Sequence, residues 1–427
     1  MSVPRVLRTG GSAPAHALRA VVVEGFTTRL AFGVVIFAMP LYARQLGMSL
    51  AEIGVLVAMK PLVELIVKPF MGWTVDRWGA RRGYLTAVTV RLVASMLLFT
   101  AATPASLYLV RLVQGAASAA RDPASISVVA GSGTRKLGRA FSISFGAKDL
   151  GAVSAGALGG LLLAMSGNDF RLLWGFVVAV SFVPVLVVWR WVPRPEPRPP
   201  GKAAGKAADT AADTAAAGEP VAVRLVKDPP RGRADPGSRV FRDSRLRLLC
   251  ALGLLAGMTA HMTHGLFPLL AAEIAGLSPG QIGGIYSASV LVLLVVGPLA
   301  GLAADRFGAM PLTGARAVAN TLSSLLYLVF PTAAGLLTGR LVDVAGRAAF
   351  RPPWGSLLAQ AARRAGPRAG RVVATLDTAL SVGEALGPII AALLWDVWGL
   401  AAFLLVRAGL GIATELVVSR RLRHTAL

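Results

Sequence analysis

The sequence predicts an all-α integral membrane protein of twelve transmembrane helices, arranged as two pseudo-symmetric six-helix bundles. Three observations support this class. Apolar residues make up 55% of the 427 residues, and the mean hydropathy is +0.64. Twelve apolar runs have about the 20 residues that a helix needs to cross a hydrocarbon core of roughly 30 Å. A short charged motif also occurs at equivalent places in the two halves.

The twelve runs fall into two groups of six. The first group lies near residues 20–42, 51–71, 84–102, 105–128, 141–165 and 171–191. The second lies near residues 247–271, 281–303, 311–330, 333–360, 371–395 and 399–419. Because the intervening segment is rich in Pro, Gly, Ala and charged residues, it cannot bury enough apolar area to fold. We therefore expect an N-terminal bundle at 1–193, a largely disordered cytoplasmic linker at 194–244 and a C-terminal bundle at 245–427.

The net charge of +23 comes from 44 basic and 21 acidic residues. The basic residues concentrate in the loops on one side of the predicted helices, and the outer loops hold little more than Arg44 and Arg171. This positive-inside asymmetry predicts that both termini are cytoplasmic in a multi-pass protein of the cell membrane. It also argues against a nucleic-acid partner, since the charge suits an anionic lipid surface. Cys250 is the single cysteine, so an intrachain disulfide is excluded.

A motif of the form G-x-x-x-D-R-x-G lies between the second and third apolar runs of each half. The first copy, which is followed by two arginines, comprises Gly72, Asp76, Arg77, Gly79, Arg81 and Arg82. The second copy comprises Gly301, Asp305, Arg306 and Gly308. This pattern resembles the loop signature of the major facilitator superfamily. The resemblance implies two bundles related by a pseudo-two-fold axis, with a substrate site between them at mid-depth and transport by alternating access.

The motif has a mechanical interpretation as a gate. Asp76 ends the second helix, where it could accept hydrogen bonds from the N-terminus of the eleventh helix and stabilise its dipole. Arg77, Arg81 and Arg82 would hold the inner gate shut through acidic residues or phospholipid head groups. The motif is informative about the superfamily and uninformative about the cargo.

Ionisable residues within the apolar runs are candidate functional residues, because a charge at mid-bilayer costs at least about 2.5–3.5 kcal/mol. The first run contains Glu24 and Arg29, which lie about 140° apart at 100° per residue, so Arg29 needs an acidic partner on another helix. The second run carries Lys60, Glu64 and Lys68 on one stripe, where Glu64 can pair with either lysine.

Two further resemblances concern individual residues. The stretch from Ala58 to Gly72 is similar to the second helix of vesicular amine transporters and their bacterial drug-exporter relatives, and this implies that Lys60 belongs to an interhelical charge network. Asp377 follows Ala-Thr-Leu much as an aspartate of the coupling apparatus does in those proteins. Arg111 and Gln114 match the superfamily's R-x-x-Q-G motif, which implies that Arg111 assists proton transfer at a nearby acid.

The remaining candidates have less specific surroundings. His261 and His264 share a helix face and suit either proton relay or substrate binding. Arg340, Asp343 and Arg347 form a stripe that we interpret mainly as an interhelical structural network. Combining these observations, the predicted proton-coupling residues are Asp377, Asp149, Glu24, Glu64, Glu384 and Arg111. The predicted cavity residues are Arg29, Lys60, Gln114, His261 and His264.

Small residues at four-residue spacing predict close helix contacts in the fifth and eleventh runs. The pairs are Gly156 with Gly160 and Gly383 with Gly387. In facilitator proteins these two helices lie at the interface between the halves. The drug antiporters carry a Gly-Pro in the fifth helix, whereas here it occurs only at Gly387-Pro388. Pro123 predicts a disruption of the fourth helix.

The sequence therefore predicts a secondary transporter, and proton-coupled efflux of small amphipathic molecules is the leading interpretation. Proton-coupled uptake of a metabolite or organic anion and lipid flipping are the alternatives, since Arg29, Lys60 and Arg111 suit an anionic cargo. A catalytic constellation, a metal site and a cofactor motif are absent from the sequence, so an enzyme is not expected. The expected partners are a small-molecule substrate, protons and membrane lipid, bound by a monomer.

Overall fold

The computed structural model describes residues 13–78, 80–130, 137–192, 244–307, 309–365 and 369–415. The first half contains six helices: α1 (Ala13–Gln45), α2 (Leu50–Trp78), α3 (Ala80–Thr100), α4 (Pro104–Ala130), α5 (Leu137–Met165) and α6 (Phe170–Trp191). The predicted linker at 194–244 lies outside the described residues except for Ser244, where the next helix begins.

The second half contains α7 (Ser244–His264), α8 (Phe267–Ala275), α9 (Pro279–Phe307), α10 (Ala309–Val329), α11 (Ala333–Ala365) and α12 (Ala369–Ala413). The predicted all-α class is confirmed, since the described ranges contain helices and short turns and no strand. Seven helical segments of the described chain are long and apolar enough to cross a membrane by length and composition alone.

Three of the predicted transmembrane runs are organised differently from a single straight helix. The seventh run is broken into α7 and α8 at Gly265 and Leu266, and Pro268 follows in the first turn of α8. Proline has no amide hydrogen and so begins a new helix more readily than it continues one. The eleventh and twelfth runs are joined in α12 across a bend at Gly399, whose φ of 82° suits glycine. The predicted disruption at Pro123 was wrong, because α4 continues to Ala130.

Each half has its own helix packing, and the halves are joined mainly by two helix pairs, with a smaller contact of α1 with α8. Within the first half α1 packs on α5 and α6, and α4 packs on α2 and α3. Within the second half α7 packs on α12, and α11 packs on α9 and α10. Between the halves α2 packs on α12 and α5 packs on α9. The fifth and eleventh runs therefore do lie at the interface between halves, as the resemblance implied.

The halves meet closely at one end of the molecule. We call this the hairpin end, where α1 connects to α2 and α5 to α6; the linker end is the opposite one, where α6 ends and α7 begins. At the hairpin end a Cβ built on Gly160 would lie 2.5 Å from the carbonyl oxygen of Pro279 and 2.7 Å from Cα of Gly283. The backbones of α5 and α9 thus touch, and only glycine fits there.

The small-residue stripe of the eleventh run has a different partner. Cβ atoms on Gly383 and Gly387 would collide with the backbone of α7 at Leu254 and Met258. This stripe holds α12 against α7 inside the second half, while the Gly156–Gly160 stripe faces Tyr286 and Gly283 of the opposite half. Both stripes bring helix backbones together, as small residues do in membrane bundles.

Candidate transport site between the two halves

A buried carboxylate organises the interior of the first half. Glu24 of α1 is fully buried and receives two hydrogen bonds from Arg121 of α4, at 2.6 Å from Nε and 2.8 Å from Nη2. The hydroxyls of Thr28 and Tyr84 also donate to it. A bidentate guanidinium–carboxylate pair with both oxygens further hydrogen-bonded offsets much of the cost of burying the two charges. Glu24 therefore fixes α1 to α3 and α4.

Further charges surround this pair. Asp122 accepts a hydrogen bond from its neighbour Arg121 at 3.1 Å, and Arg29 of α1 and Lys148 of α5 are further basic residues of this half. Arg29 of α1 is partly exposed, and its predicted acidic partner is not found among the ion pairs of the described residues. Positive groups outnumber carboxylates in this part of the first half.

Lys60 and Glu64 form the predicted i,i+4 pair on α2, with Nζ and Oε2 2.6 Å apart and both side chains partly exposed. The ammonium of Lys60 also lies 4.9 Å from the ring centroid of Phe32, a cation–π distance. The same ring is approached by the guanidinium of Arg91 at 4.8 Å. Phe32 is thus the apolar support for two cations of the first half.

The second half contains one carboxylate among four arginines. Asp343 of α11 is fully buried, and its Oδ1 accepts hydrogen bonds from Arg407 at 2.7 Å and Arg316 at 3.0 Å. Its Oδ2 lies 3.5 Å from Nε of Arg347 and 4.0 Å from Nη1 of Arg340. The predicted stripe on α11 is confirmed as part of an interhelical network, which also joins α10 and α12.

The four arginines are not equally satisfied. Arg407 donates to the carbonyls of Thr259 and Asn320 and to the hydroxyls of Ser323 and Ser324. Arg340 by contrast lies against two rings, with its guanidinium carbon 4.6 Å from the centroid of Phe267 and 4.8 Å from that of Tyr286. Arg407 therefore has the contacts of a structural residue, whereas Arg340 faces aromatic surface.

The two predicted histidines take different partners. His264 Nδ1 lies 2.8 Å from Nη1 of Arg347. Since a guanidinium is only a donor, His264 accepts at Nδ1 and its neutral ring carries the proton on Nε2. His261 Nδ1 lies 3.1 Å from the carbonyl oxygen of Gly257 and so donates to it. His264 thus joins the arginine cluster, and His261 is tied to its own helix.

Two ion pairs cross between the halves on the linker-end side. Lys68 of α2 lies 3.4 Å from Asp377 of α12, and Arg351 of α11 lies 3.3 Å from Asp149 of α5. All four side chains are exposed. The halves are joined at the hairpin end by backbone contacts and by the ion pair of Arg44 of α1 with Glu273 of α8, at 2.7 Å, and toward the linker end by exposed charge pairs.

Other predicted residues lie apart from these clusters. Arg111 of α4 is buried and donates to Gln114 at 3.3 Å, which keeps the R-x-x-Q-G residues together. Glu384 of α12 is partly exposed. Within the described part of the chain, no group of three or more His, Cys, Asp or Glu side chains could hold a metal ion.

The gating motif is only partly within the described residues. Gly79 and Gly308 lie outside them, and the side chains of Asp76, Arg77 and Asp305 are likewise outside the description, as are those near Gly72. Arg81 donates to the carbonyls of Val192 and Trp189 at the end of α6. A cation there stabilises the helix C-terminus, so Arg81 ties α3 to α6 of its own half instead of contacting the other half.

The other residues of the motif have little contact. Arg82 is exposed, a Cβ on Gly301 would meet open space, and Arg306 lies 5.4 Å from the ring of Phe307.

Sequence reasoning missed several partners. It did not find that Arg121 pairs with Glu24, that Arg316 and Arg407 join Asp343, or that Arg351 faces Asp149. Each of these is an arginine within or beside an apolar run. Because a charge inside the membrane is costly, such an arginine by itself indicates a buried acidic partner or a functional site. The pairing itself has no local signature, since the partners lie 27–202 residues apart.

The two helical halves, which contact each other mainly through α2 with α12 and α5 with α9, have the two-bundle architecture that many secondary transporters share. The sequence profile of the Major Facilitator Superfamily matches residues 23–264 and 249–425. The chain belongs to this superfamily.

Curated relatives match parts of the chain. A Mycobacterium tuberculosis protein named multidrug resistance protein B homolog is 31% identical over 191 residues, which is 43% of this chain and 35% of that protein. The vesicular acetylcholine transporter of Torpedo marmorata is 29% identical over 137 residues, or 32% of this chain and 26% of that protein. The aligned segments thus span about a third or less of these relatives' length.

Solved structures of transporters share the whole fold. The nucleoside transporter NupG has a TM-score of 0.70 at 15% identity, covering 96% of this chain and 98% of its own. A human organic anion transporter has a TM-score of 0.61 at 18% identity, covering 95% and 99%. At these identities the similarity establishes the fold alone. The predicted fold class and superfamily are thereby confirmed.

Proposed function

We propose that the protein is a proton-coupled exporter of small amphipathic molecules, located in the cell membrane with both termini in the cytoplasm. The observation that supports this most directly is the pair of ion contacts between halves, Lys68 with Asp377 and Asp149 with Arg351. In each pair a carboxylate of one half meets a cation of the other. The two carboxylates are also the leading proton-coupling candidates of the sequence.

The proposed coupling works through charge. An ionised Asp377 or Asp149 attracts a cation of the opposite half and favours closure of the linker end. Protonation removes the negative charge and with it the attraction, so the linker end opens to the cytoplasm. Proton binding and release would then shift the equilibrium between the states with the linker end closed and open. Any ligand that binds two states with different affinity has this effect.

Export is the proposed direction on two grounds. A relative that aligns with 43% of this chain is named a multidrug resistance protein. The two halves are also joined by exposed charges toward the linker end, the proposed cytoplasmic side from which an exporter takes its cargo. Uptake of an organic anion is the second candidate, since the partly exposed Lys60 and Arg29 favour a negatively charged cargo. A monomer is the proposed assembly.

Replacing Asp377 by asparagine is expected to reduce substrate-driven proton flux at least tenfold, because the side chain keeps its size but can no longer bind a proton or attract Lys68. The measurement uses proteoliposomes that enclose a pH-sensitive dye, an imposed proton gradient, and a panel of lipophilic cations, organic anions and sugars. Asp396→Asn is the matched control, since Asp396 lies on the same helix and is exposed.

Two outcomes would contradict the proposal. Proton flux that is unchanged in both Asp377→Asn and Asp149→Asn would remove these residues from the coupling mechanism. Equilibration of labelled substrate without any proton movement would indicate a uniporter or a lipid flippase instead of a proton-coupled exporter.

A further inference from the structure

Three arginines follow one face of α11 from the linker end to the interior. Arg340, Arg347 and Arg351 are spaced by seven and four residues, which places them within an arc of about 40° and along about 16 Å of helix. Their side chains are 2%, 22% and 72% exposed, respectively. We call these three residues the arginine track, because they follow one helix face from an exposed to a buried position.

The buried end of the track carries more positive charge than its surroundings balance. Asp343 is the carboxylate within reach of Arg340, at 4.0 Å, and its Oδ1 is already bound by Arg407 and Arg316. Nε and Nη1 of Arg340 and Nε of Arg347 have no hydrogen-bond partner among the described residues. Oδ2 of Asp343 faces them at 3.5–4.0 Å without a hydrogen bond, so one acceptor stands against three donors. A buried cation without full pairing is costly, so this cluster favours a further negative group.

Aromatic side chains surround the same point. The rings of Phe267 and Tyr286 lie against Arg340, and Phe37 of the first half packs edge-on against Tyr286 at 5.6 Å. The buried hydroxyl of Tyr286 has no hydrogen-bond partner in the described part of the chain. A ligand at this point would therefore meet hydrogen-bond donors and apolar surface together, which is the composition of small-molecule sites.

The position in the fold is that of a transporter substrate site. The break between α7 and α8 places Phe267 under Arg340, and His264 on the other side of the break contacts Arg347. Discontinuous helices form substrate sites at the repeat interface in many transporters. The track, the unpaired donors and the helix break thus coincide at the junction of the two halves.

We propose that Arg340 and Arg347 bind the carboxylate of a small amphipathic organic anion. Tyr286 donates a further hydrogen bond, and the rings of Phe267 and Tyr286 contact the apolar part of the molecule. Arg351 draws the anion in from the linker end, and the contact of Tyr286 with Phe37 closes the site toward the hairpin end. This inference rests on the proposed transport function and names the substrate class of its site.

The test is equilibrium binding of 2-naphthoate to the full chain in nanodiscs made only of phosphatidylcholine. The uncharged 2-naphthamide and the cationic 2-naphthylmethylamine have a similar shape and serve as matched ligands. Inorganic phosphate tests whether any small anion suffices. We expect naphthoate to bind at least tenfold more tightly than each of the other three ligands. Arg340→Gln should weaken naphthoate binding at least tenfold. Arg171→Gln, on the exposed start of α6, is the control and should leave naphthoate binding unchanged.

Arg347→Gln provides a second variant, since this partly exposed residue is less needed for folding, and it is expected to weaken naphthoate binding as well. The assignment would be overturned if the amine bound as tightly as naphthoate or more tightly, or if phosphate bound equally well. It would also be overturned if both arginine variants kept the original affinity for naphthoate. Because the assay uses no gradient, its result does not depend on proton coupling. Naphthoate binding without proton flux would contradict the proposed coupling alone.

Discussion

Asp343→Ala is expected to lower the free energy of unfolding by about 3–5 kcal/mol, the usual cost of removing one partner from a buried ion pair. Asp343 is fully buried, and its two oxygens face guanidinium groups of Arg316, Arg340, Arg347 and Arg407. Without the carboxylate, four positive charges from three helices would repel one another in a low-dielectric interior. The measurement is reversible unfolding in mixed micelles, followed by circular dichroism.

Asp396→Ala is the control for Asp343→Ala, because it removes an exposed carboxylate from α12 of the same half. Its unfolding free energy should stay close to that of the unaltered protein. Equal stability of the two variants would contradict the account of the second half, in which Asp343 holds α10, α11 and α12 together.

Gly160→Leu is expected to abolish transport while leaving each half folded. Even a Cβ at this position would lie 2.5 Å from the backbone of Pro279, so a leucine keeps α5 and α9 apart and the hairpin end cannot close. Transport is measured in proteoliposomes, and folding by gel filtration and circular dichroism. Leucine is a good helix former, so α5 itself is not weakened by the change.

Gly146→Leu is the matched control on the same helix, because a Cβ there meets no atom within 4 Å. This variant should transport normally. If Gly160→Leu transported as fast as Gly146→Leu, the close contact of α5 with α9 would not be part of the transport cycle.

Ion pairs have two roles in the molecule, which differ with their burial. Glu24 is held to Arg121 by two short hydrogen bonds and Asp343 to Arg407 by one of 2.7 Å, and both pairs hold helices together within one half. Lys68 with Asp377, and Asp149 with Arg351, are single exposed contacts of 3.3–3.4 Å between halves. Exposed pairs of this kind contribute little stability, and they can therefore separate when the halves move.

The sequence predicted the features that depend on local periodicity. Apolar run length indicated the helices, and i,i+4 spacing predicted the contact of Lys60 with Glu64. Chain adjacency similarly pairs Arg121 with Asp122.

Contacts between distant segments were not accessible in this way. Lys68 meets Asp377 across 309 residues of chain, and that contact depends on how α2 packs on α12. The break between α7 and α8 was also missed, since the apolar run continues through Gly265 without interruption.

The central claim is that the two halves alternate, with the hairpin end and the linker end open in turn. The most direct measurement is pulsed electron spin resonance on two doubly labelled variants in a Cys250→Ser background. One carries labels at Ile143 and Arg363 near the linker end, and the other at Gln45 and Ser278 near the hairpin end; all four positions are exposed. We predict that an imposed pH change shortens one distance and lengthens the other. Two distances that stay fixed, or that change together, would contradict alternating access.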